Sequence, residues 1–369
     1  MPPLARTLRL MFVPILAISL SLIALSALLA VSGYSVTAAL AALWHGAFGS
    51  WSVIASGTLV RATPLLFAGL AVAVAFRAGI LNIGAEGQLL AGAAAATAVS
   101  VTISPAFGIV GSCIALMAGA AAGGMWAGIA AGLRQQFGVL EVISTIMLNV
   151  IMLHLTGLLV RGPLQESTAT FPQSALIDQA LRLPRIFPGT RLHAGVVLAV
   201  LSALLLAWFL RSTARGFRLR MTGANPRAAA SAGGIDVARV ATSAFIASGA
   251  IAGLGGAVEV TGVTYALYEN LSPGYGYTAI AVALLARLNP MAAIGSAFVF
   301  GALEAGAAAM QREAQVPAGM VGVAEACVIL VLLASEWIGT RARGWSTLLW
   351  GGAPPQPNLS DPAAIGELE

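Results

Sequence analysis

The chain has 369 residues, of which 59% are hydrophobic and only 9% charged, with a mean hydropathy of +0.90 and a formal net charge of +5. A soluble domain carries about 25% charged residues, so this composition excludes a soluble enzyme and reads as an all-α polytopic membrane protein. All 19 basic residues are arginine, which excludes a Walker A phosphate loop and a Schiff-base lysine in this chain.

A helix crosses a bilayer with about 20 apolar residues. By that measure ten spans are expected, at 11–33, 55–76, 80–102, 106–132, 139–160, 194–210, 237–262, 276–287, 291–310 and 316–338. The first follows Arg6 and Arg9; its apolar core exceeds the roughly 7–15 residues of a signal peptide, so an uncleaved helix is expected. The eighth is too short to cross alone and is expected to start in the GYGY stretch. With the N-terminus inside, thirteen of the 19 arginines face the cytoplasm, so the positive-inside rule puts both termini there. Residues 1–338 then form one membrane domain, and the polar, Pro-rich tail 339–369 is expected to be cytoplasmic and disordered.

The third span opens on an anomaly, GILNIGAEGQLLAG (79–92), which sets Asn82, Glu86 and Gln88 in an oily run. On a regular helix Gly79, Asn82, Ile83 and Glu86 share a face, while Gln88 sits about 160° from Glu86. Gly84 and Gly87 are expected to allow a local break, freeing backbone groups toward a cavity. Two roles stay open: lining a polar pathway, or locking the structure through Arg77 or another chain. Amides offer donors and acceptors, and carboxylates acceptors, to a polar solute.

Farther along, the fourth span carries Gly119, Gly123, Gly124, Gly128 and Gly132, and the seventh carries Gly249, Gly253 and Gly256. Small residues at every fourth position let helix backbones touch in lipid, and packing within one bundle is expected. The fifth span, EVISTIMLNVI, offers Thr145 and Asn149 on one face as pathway candidates, with Ser144 beside them. The loop 161–193, with four prolines, is expected outside and is large enough to meet a partner. The insertion 211–239 contains NPRAAASAGG: Asn225 suits an N-cap, Pro226 the first helical position, and Gly233 or Gly234 a left-handed stop. Such a helix is too short to stand alone in water. It is either a connector lying on lipid headgroups or a knob for a partner's groove. Tyr275, Tyr277 and Thr278 precede an apolar run, either to meet a solute or to anchor at the membrane interface. Cys113 and Cys327 lie in apolar runs, and His45, His154 and His193 lack ligand spacing, so no metal is expected.

Four strings occur in order: LAVAVAFRAGILNIGAEGQLLAGA, EVISTIMLNVI, TGANPRAAASAGGI and SPGYGYTAIAVALLARLNP. Over residues 60–335 the chain closely resembles the permease subunits of ABC importers for nucleosides, within the group that serves simple sugars and branched-chain amino acids. The resemblance implies a type II-like permease in the inner membrane. Its implied partners are a two-site ABC ATPase that holds ATP and Mg, a second related permease or a copy of itself, and an external solute-binding lipoprotein. It also implies that the 218–235 segment is a coupling helix, with Arg220, Gly223, Asn225, Pro226, Ala228, Ala229, Gly233 and Gly234 meeting the ATPase. No catalysis is expected in this chain, and nucleic acid is not an expected partner. The competing readings are a ribose-type sugar permease and a proton-coupled secondary transporter using Glu86, Glu304 or Glu325. An intramembrane enzyme lacks any Ser/His, Cys/His or metal pattern.

Overall fold

The computed structural model describes residues 19–323 except 21, 170, 318 and 321, together with residue 326. The chain divides into two units, one of Leu28–Val321 and one of Met1–Ala27 with Gly322–Glu369. Residues 11–18 and 21 of the first expected span, most of the tenth, the tail, Glu325 and Cys327 lie outside the described residues. An apolar helix, Leu22–Val31, precedes the main bundle.

The larger unit is helical, with isolated β-bridges and no strand among the described residues. Its elements are α1 (Val36–Phe48), α2 (Trp51–Arg77, with a π turn at Ile54–Thr58), α3 (Ala85–Thr102), α4 (Gly108–Phe137) and α5 (Glu141–Val160). There follow α6 (Gly195–Ser212), α7 (Ala214–Ala224), α8 (Pro226–Gly233), α9 (Val237–Glu259, extended by a π turn to Thr264), α10 (Tyr275–Leu285) and α11 (Pro290–Glu313). Six of these, α2, α4, α5, α6, α9 and α11, are long and apolar enough to cross a membrane.

Three boundaries differ from expectation. α1 falls in a stretch assigned to no span; Ser35 starts it by accepting a hydrogen bond from the Ala38 N–H. α4 runs on to Phe137 rather than 132, because Arg134 continues the helix and left-handed Gly138 (φ 66°) ends it. The third span does not start at 80: residues 78–84 are not helical, and α3 begins only at Ala85.

α9 lies at the centre of the unit, packed on α2, α3 and α4, while α11 packs on α1 and α2 and α10 packs on α2. The glycine stripes make this closeness possible. A Cβ on Gly123 would collide with the backbone of Gly249 and Gly253, and one on Gly92 with Gly253. The α4 and α9 stripes therefore face each other within one chain, where van der Waals contact replaces the missing hydrophobic drive. Gly132, with nothing near its Cβ position, lies beyond that seam.

At one end of the bundle the loop 161–193 is strapped down rather than free. Leu183, Ile177 and Ser174 donate their N–H groups to the carbonyls of Thr261, Tyr265 and Leu267 at 3.0, 2.8 and 2.9 Å. The π turn at the end of α9 supplies the first of these, since the changed ladder leaves carbonyls to be satisfied elsewhere. Ile177 and Leu181 of this loop are fully buried. His193 closes it, accepting from the Gly195 N–H at 3.1 Å. Burial, helped by the Arg191 charge, pushes its pKa down to about 4, so the imidazole is neutral at physiological pH. The opposite end carries α7, α8 and the α4–α5 turn, where Arg134 pairs with Glu141 at 3.1 Å.

Candidate functional site

The anomalous stretch begins as a helix stop. Gly79 takes φ 78°, the Gly79 N–H donates to the Phe76 carbonyl at 3.1 Å, and the Ile80 N–H donates to that of Ala75 at 3.0 Å. This is the Schellman arrangement, which needs a residue without a Cβ at the left-handed position and favours an apolar residue after it. Arg77, Gly79 and Ile80 are therefore a legible stop signal, in line with the expected span end at 76; the unwound stretch up to Gly84 is what the expected restart at 80 missed. The break thus runs up to Gly84, which precedes the first residue of α3, and ends before Gly87. Gly87 sits inside α3 with its Cβ position 2.9 Å from Asn149 Oδ1, so its role is a close approach.

Because residues 78–84 are unwound, Asn82 folds back onto Gln88, a meeting that a continuous helix forbids. The two amides pair reciprocally: Asn82 Nδ2 donates to Gln88 Oε1 at 2.9 Å, and Gln88 Nε2 to Asn82 Oδ1 at 3.0 Å. Asn82 Oδ1 also accepts from the Gly84 N–H at 2.9 Å, and Asn82 Nδ2 donates to Ser248 Oγ at 2.8 Å. Ser248 in turn donates to the Ala71 carbonyl at 2.6 Å. Asn82, Gln88 and Ser248 are all essentially inaccessible to solvent. The network ties α2, the break, α3 and α9 together, and every one of these groups finds a partner, as buried polar atoms must.

Glu86 points to α10. Its Oε2 accepts from the Gly276 N–H at 2.6 Å, and the Ser272 side chain donates to the same carboxylate. Gly276 is in the first turn of α10, so a negative charge sits where the helix presents unsatisfied N–H groups. The contact is tight: a Cβ on Gly276 would collide with the Glu86 backbone nitrogen. Arg77 does not pair with Glu86; its Nε donates to the Leu288 carbonyl at 2.7 Å. Glu86→Gln keeps an acceptor but removes the charge, and is expected to cost about 0.3–2 kcal/mol of stability. Thermal unfolding of the purified protein would check this, and a midpoint equal to the parent's would rule out the helix-end role.

Asn149 completes the joint from α5. Its Oδ1 accepts from the Gly87 N–H at 2.8 Å, and its Nδ2 donates to the Ile83 carbonyl at 2.9 Å and the Tyr277 hydroxyl at 3.3 Å. Thr145, one turn earlier, bonds the Glu141 carbonyl and packs its Cβ near Gly84. Tyr275 is buried and Thr278 half-buried, whereas Tyr277 is 46% exposed. Asn82, Glu86, Gln88, Thr145 and Asn149 thus form one cluster that reaches Tyr277. Ser248 and Gly276 belong to it too, although sequence reading had placed neither there. They lie 166 and 190 residues from their partners, and no local pattern links them.

The insertion after α6 lies at the α7 end. Thr213 caps α7 by accepting from the Gly216 N–H at 3.0 Å, and Asn225 caps α8 by accepting from the Ala228 N–H at 3.1 Å. Pro226 takes the first position of α8, and Gly234 (φ 55°), rather than Gly233, supplies the left-handed stop. Arg220, Ala228 and Gly233 are exposed, while Ala229 is buried. Gly223 meets the break directly: a Cβ there would collide with the Arg77 carbonyl and the Gly79 nitrogen. One short strip of backbone, Arg77–Gly84, therefore touches the insertion at one end and the polar joint at the other. No group of three or more possible metal ligands occurs among the described residues.

Residues 54–334 match the family model of the branched-chain amino acid transport system permease component. The chain is 38% identical over 330 residues to the guanosine ABC transporter permease protein NupP of Bacillus subtilis, covering 88% of this chain and 93% of that protein. It is 38% identical over 290 residues to the glucose ABC transporter permease protein of Haloferax volcanii, covering 76% of each. A nucleoside ABC transporter permease protein, NupB of Lactococcus lactis, is 28% identical over 333 residues, covering 88% of this chain and 91% of that protein. No solved structure matches the chain. With a match across most of its length and six membrane-crossing helices, the chain is a multi-pass inner-membrane protein that belongs to the branched-chain amino acid transport system permease component family of ABC transporters.

Proposed function

We propose that the chain is the membrane permease subunit of an ATP-driven importer for nucleosides, with α8 as the element that receives force from a separate two-site ATPase. Both termini lie in the cytoplasm, a second related permease chain or a copy of this one completes the passage, and an external solute-binding lipoprotein delivers the solute. The observation that supports force transfer is α8 itself: an eight-residue helix, capped at both ends, that buries Ala229 and exposes Pro226, Arg227, Ala228, Ala230 and Ser231. A helix this short gains stability by docking.

The proposed relay runs from α8 through Gly223 to Arg77–Gly79, along the unwound strip to Asn82 and Gln88, and through Glu86 to the start of α10. Asn82, Glu86 and Gln88 spend their polar groups on protein partners, which supports a transmitting rather than a solute-binding role. Tyr277, held by Asn149, and Thr278 stand at the far side of the joint, where Tyr277 is accessible. We assign the solute contact to them. Movement of α8 would then alter the α10 start without any break in the buried network.

Nucleosides are favoured because the guanosine permease of Bacillus subtilis aligns over 93% of its length. A simple sugar is the second reading, supported by equal identity to the glucose permease over a shorter span. Uptake of radiolabelled guanosine and glucose into right-side-out vesicles with the whole operon's products separates these readings. Guanosine uptake is expected to be abolished by vanadate and to survive a proton uncoupler. Glucose uptake without guanosine uptake would replace the substrate; uptake that resists vanadate and collapses with the uncoupler would replace the ATP-driven reading altogether.

A further inference from the structure

The insertion carries more positive charge than a docking knob needs. Residues 211–235 hold Arg211, Arg215, Arg218, Arg220 and Arg227 and no carboxylate. Arg211 lies in the last turn of α6 and Arg77 is the last residue of α2, so both sit where a membrane span ends. α7 then packs against α2, α6 and α9 with Gly216, Leu219 and Thr222 inward. That leaves Arg215, Arg218 and Arg220 exposed beside two exposed apolar side chains, Phe217 and Met221. Arginines next to outward-facing aromatic and apolar groups, on a helix lying across the ends of membrane spans, are the pattern of an interfacial helix.

Three of these charges converge. Gly223 presses the end of α7 onto the backbone of Arg77, and the Leu288 carbonyl accepts from Arg77 Nε, while the two terminal nitrogens of Arg77 have no partner among the described residues. The Arg211 and Arg220 guanidiniums are close enough to act on Arg77 by like-charge repulsion. Among the described residues none of the three forms an ion pair. Glu141 and Asp236, the described carboxylates at this end, are engaged by Arg134 at 3.1 Å and Arg239 at 3.6 Å. A cation with two like charges close by and no counter-charge among the described residues describes a place for an anion.

We propose that Arg77, Arg211 and Arg220 form a site for the phosphate of an anionic phospholipid in the leaflet on the α7 side, with Phe217 and Met221 seated among its acyl chains. Depth decides in favour of a lipid over the ATPase: Arg77 and Arg211 terminate spans, at the level of headgroups, whereas α8 and its exposed face follow later in the insertion. Because Arg77 adjoins Gly79, the lipid would brace the break at the point where the insertion touches it.

Native mass spectrometry of the full chain, released from micelles holding equimolar phosphatidylglycerol and phosphatidylcholine, tests this. Phosphatidylglycerol adducts are expected to exceed phosphatidylcholine adducts about tenfold, and raised salt should lower the ratio. The Arg211→Gln/Arg220→Gln double variant should bring it to parity. Arg211→Lys/Arg220→Lys should keep most of the preference, and Arg312→Gln, in the last turn of α11 near the other end, should leave it unchanged. Equal adducts in the parent, or an unchanged ratio in the double glutamine variant, would overturn the site. Displacement of the lipid by millimolar inorganic phosphate would overturn the lipid assignment in favour of a soluble anion. Loss of ATPase co-purification in the glutamine variant with the lipid ratio intact would give these arginines to the ATPase instead.

Discussion

Asn82→Ala is expected to destabilise the purified protein by about 3–5 kcal/mol and to abolish uptake. The side chain makes four hydrogen bonds, two with Gln88, one with Ser248 and one with the Gly84 N–H. Its removal leaves Gln88 and the Gly84 N–H buried without those partners, and each orphaned group costs about 1–3 kcal/mol. A shift of roughly 6–12 °C in the midpoint of intrinsic tryptophan fluorescence on heating corresponds to that loss. Gln88→Ala should cost a comparable amount, and the double variant should cost much less than the sum, because both remove the same pair. A midpoint within a degree of the parent's for Asn82→Ala would sink the joint as a stabilising element.

Gly223→Ala is expected to lower uptake at least tenfold while α8 and the fold persist. The added methyl group would fall on the Arg77 carbonyl and the Gly79 nitrogen. Both are backbone atoms, which cannot rotate away as a side chain would, so α7 must lift off the break. Overpacking of this kind costs about 1–3 kcal/mol, enough to distort the contact without unfolding the bundle. Gly132→Ala, with open space at its Cβ position, is the control and should change nothing. Uptake measured in vesicles, with co-purification of the ATPase as a check on assembly, reads the result. Normal transport by Gly223→Ala would remove this contact from the proposed relay.

Much of the insertion was legible beforehand, for a local reason. Asn225, Pro226 and a following glycine act within one or two turns, so capping chemistry alone implies α8. The stop at Gly79 was equally local, and the expected spans break there, but a hydropathy window counts the apolar residues of 80–84 as helix although they are unwound. The Glu86–Gly276 and Asn82–Ser248 contacts were beyond reach, since each links residues more than 160 positions apart. Tyr275 and Tyr277 look alike in sequence, two residues apart. Their helix positions put the first inside the bundle and leave the second exposed beside Asn149.

Composition and short-range pattern by themselves determined that this chain is a lysine-free, helical membrane protein with a capped insertion and close-packed small-residue stripes. Those properties depend on transfer free energy and on bonds between near neighbours. Only the tertiary structure decided where the polar residues of 79–92 turn. A buried amide or carboxylate takes whichever partner the packing of distant helices brings within about 3 Å, and that packing put Ser248, Asn149 and the start of α10 there. The stripe glycines made the approach possible, but the pairing itself belongs to the folded bundle.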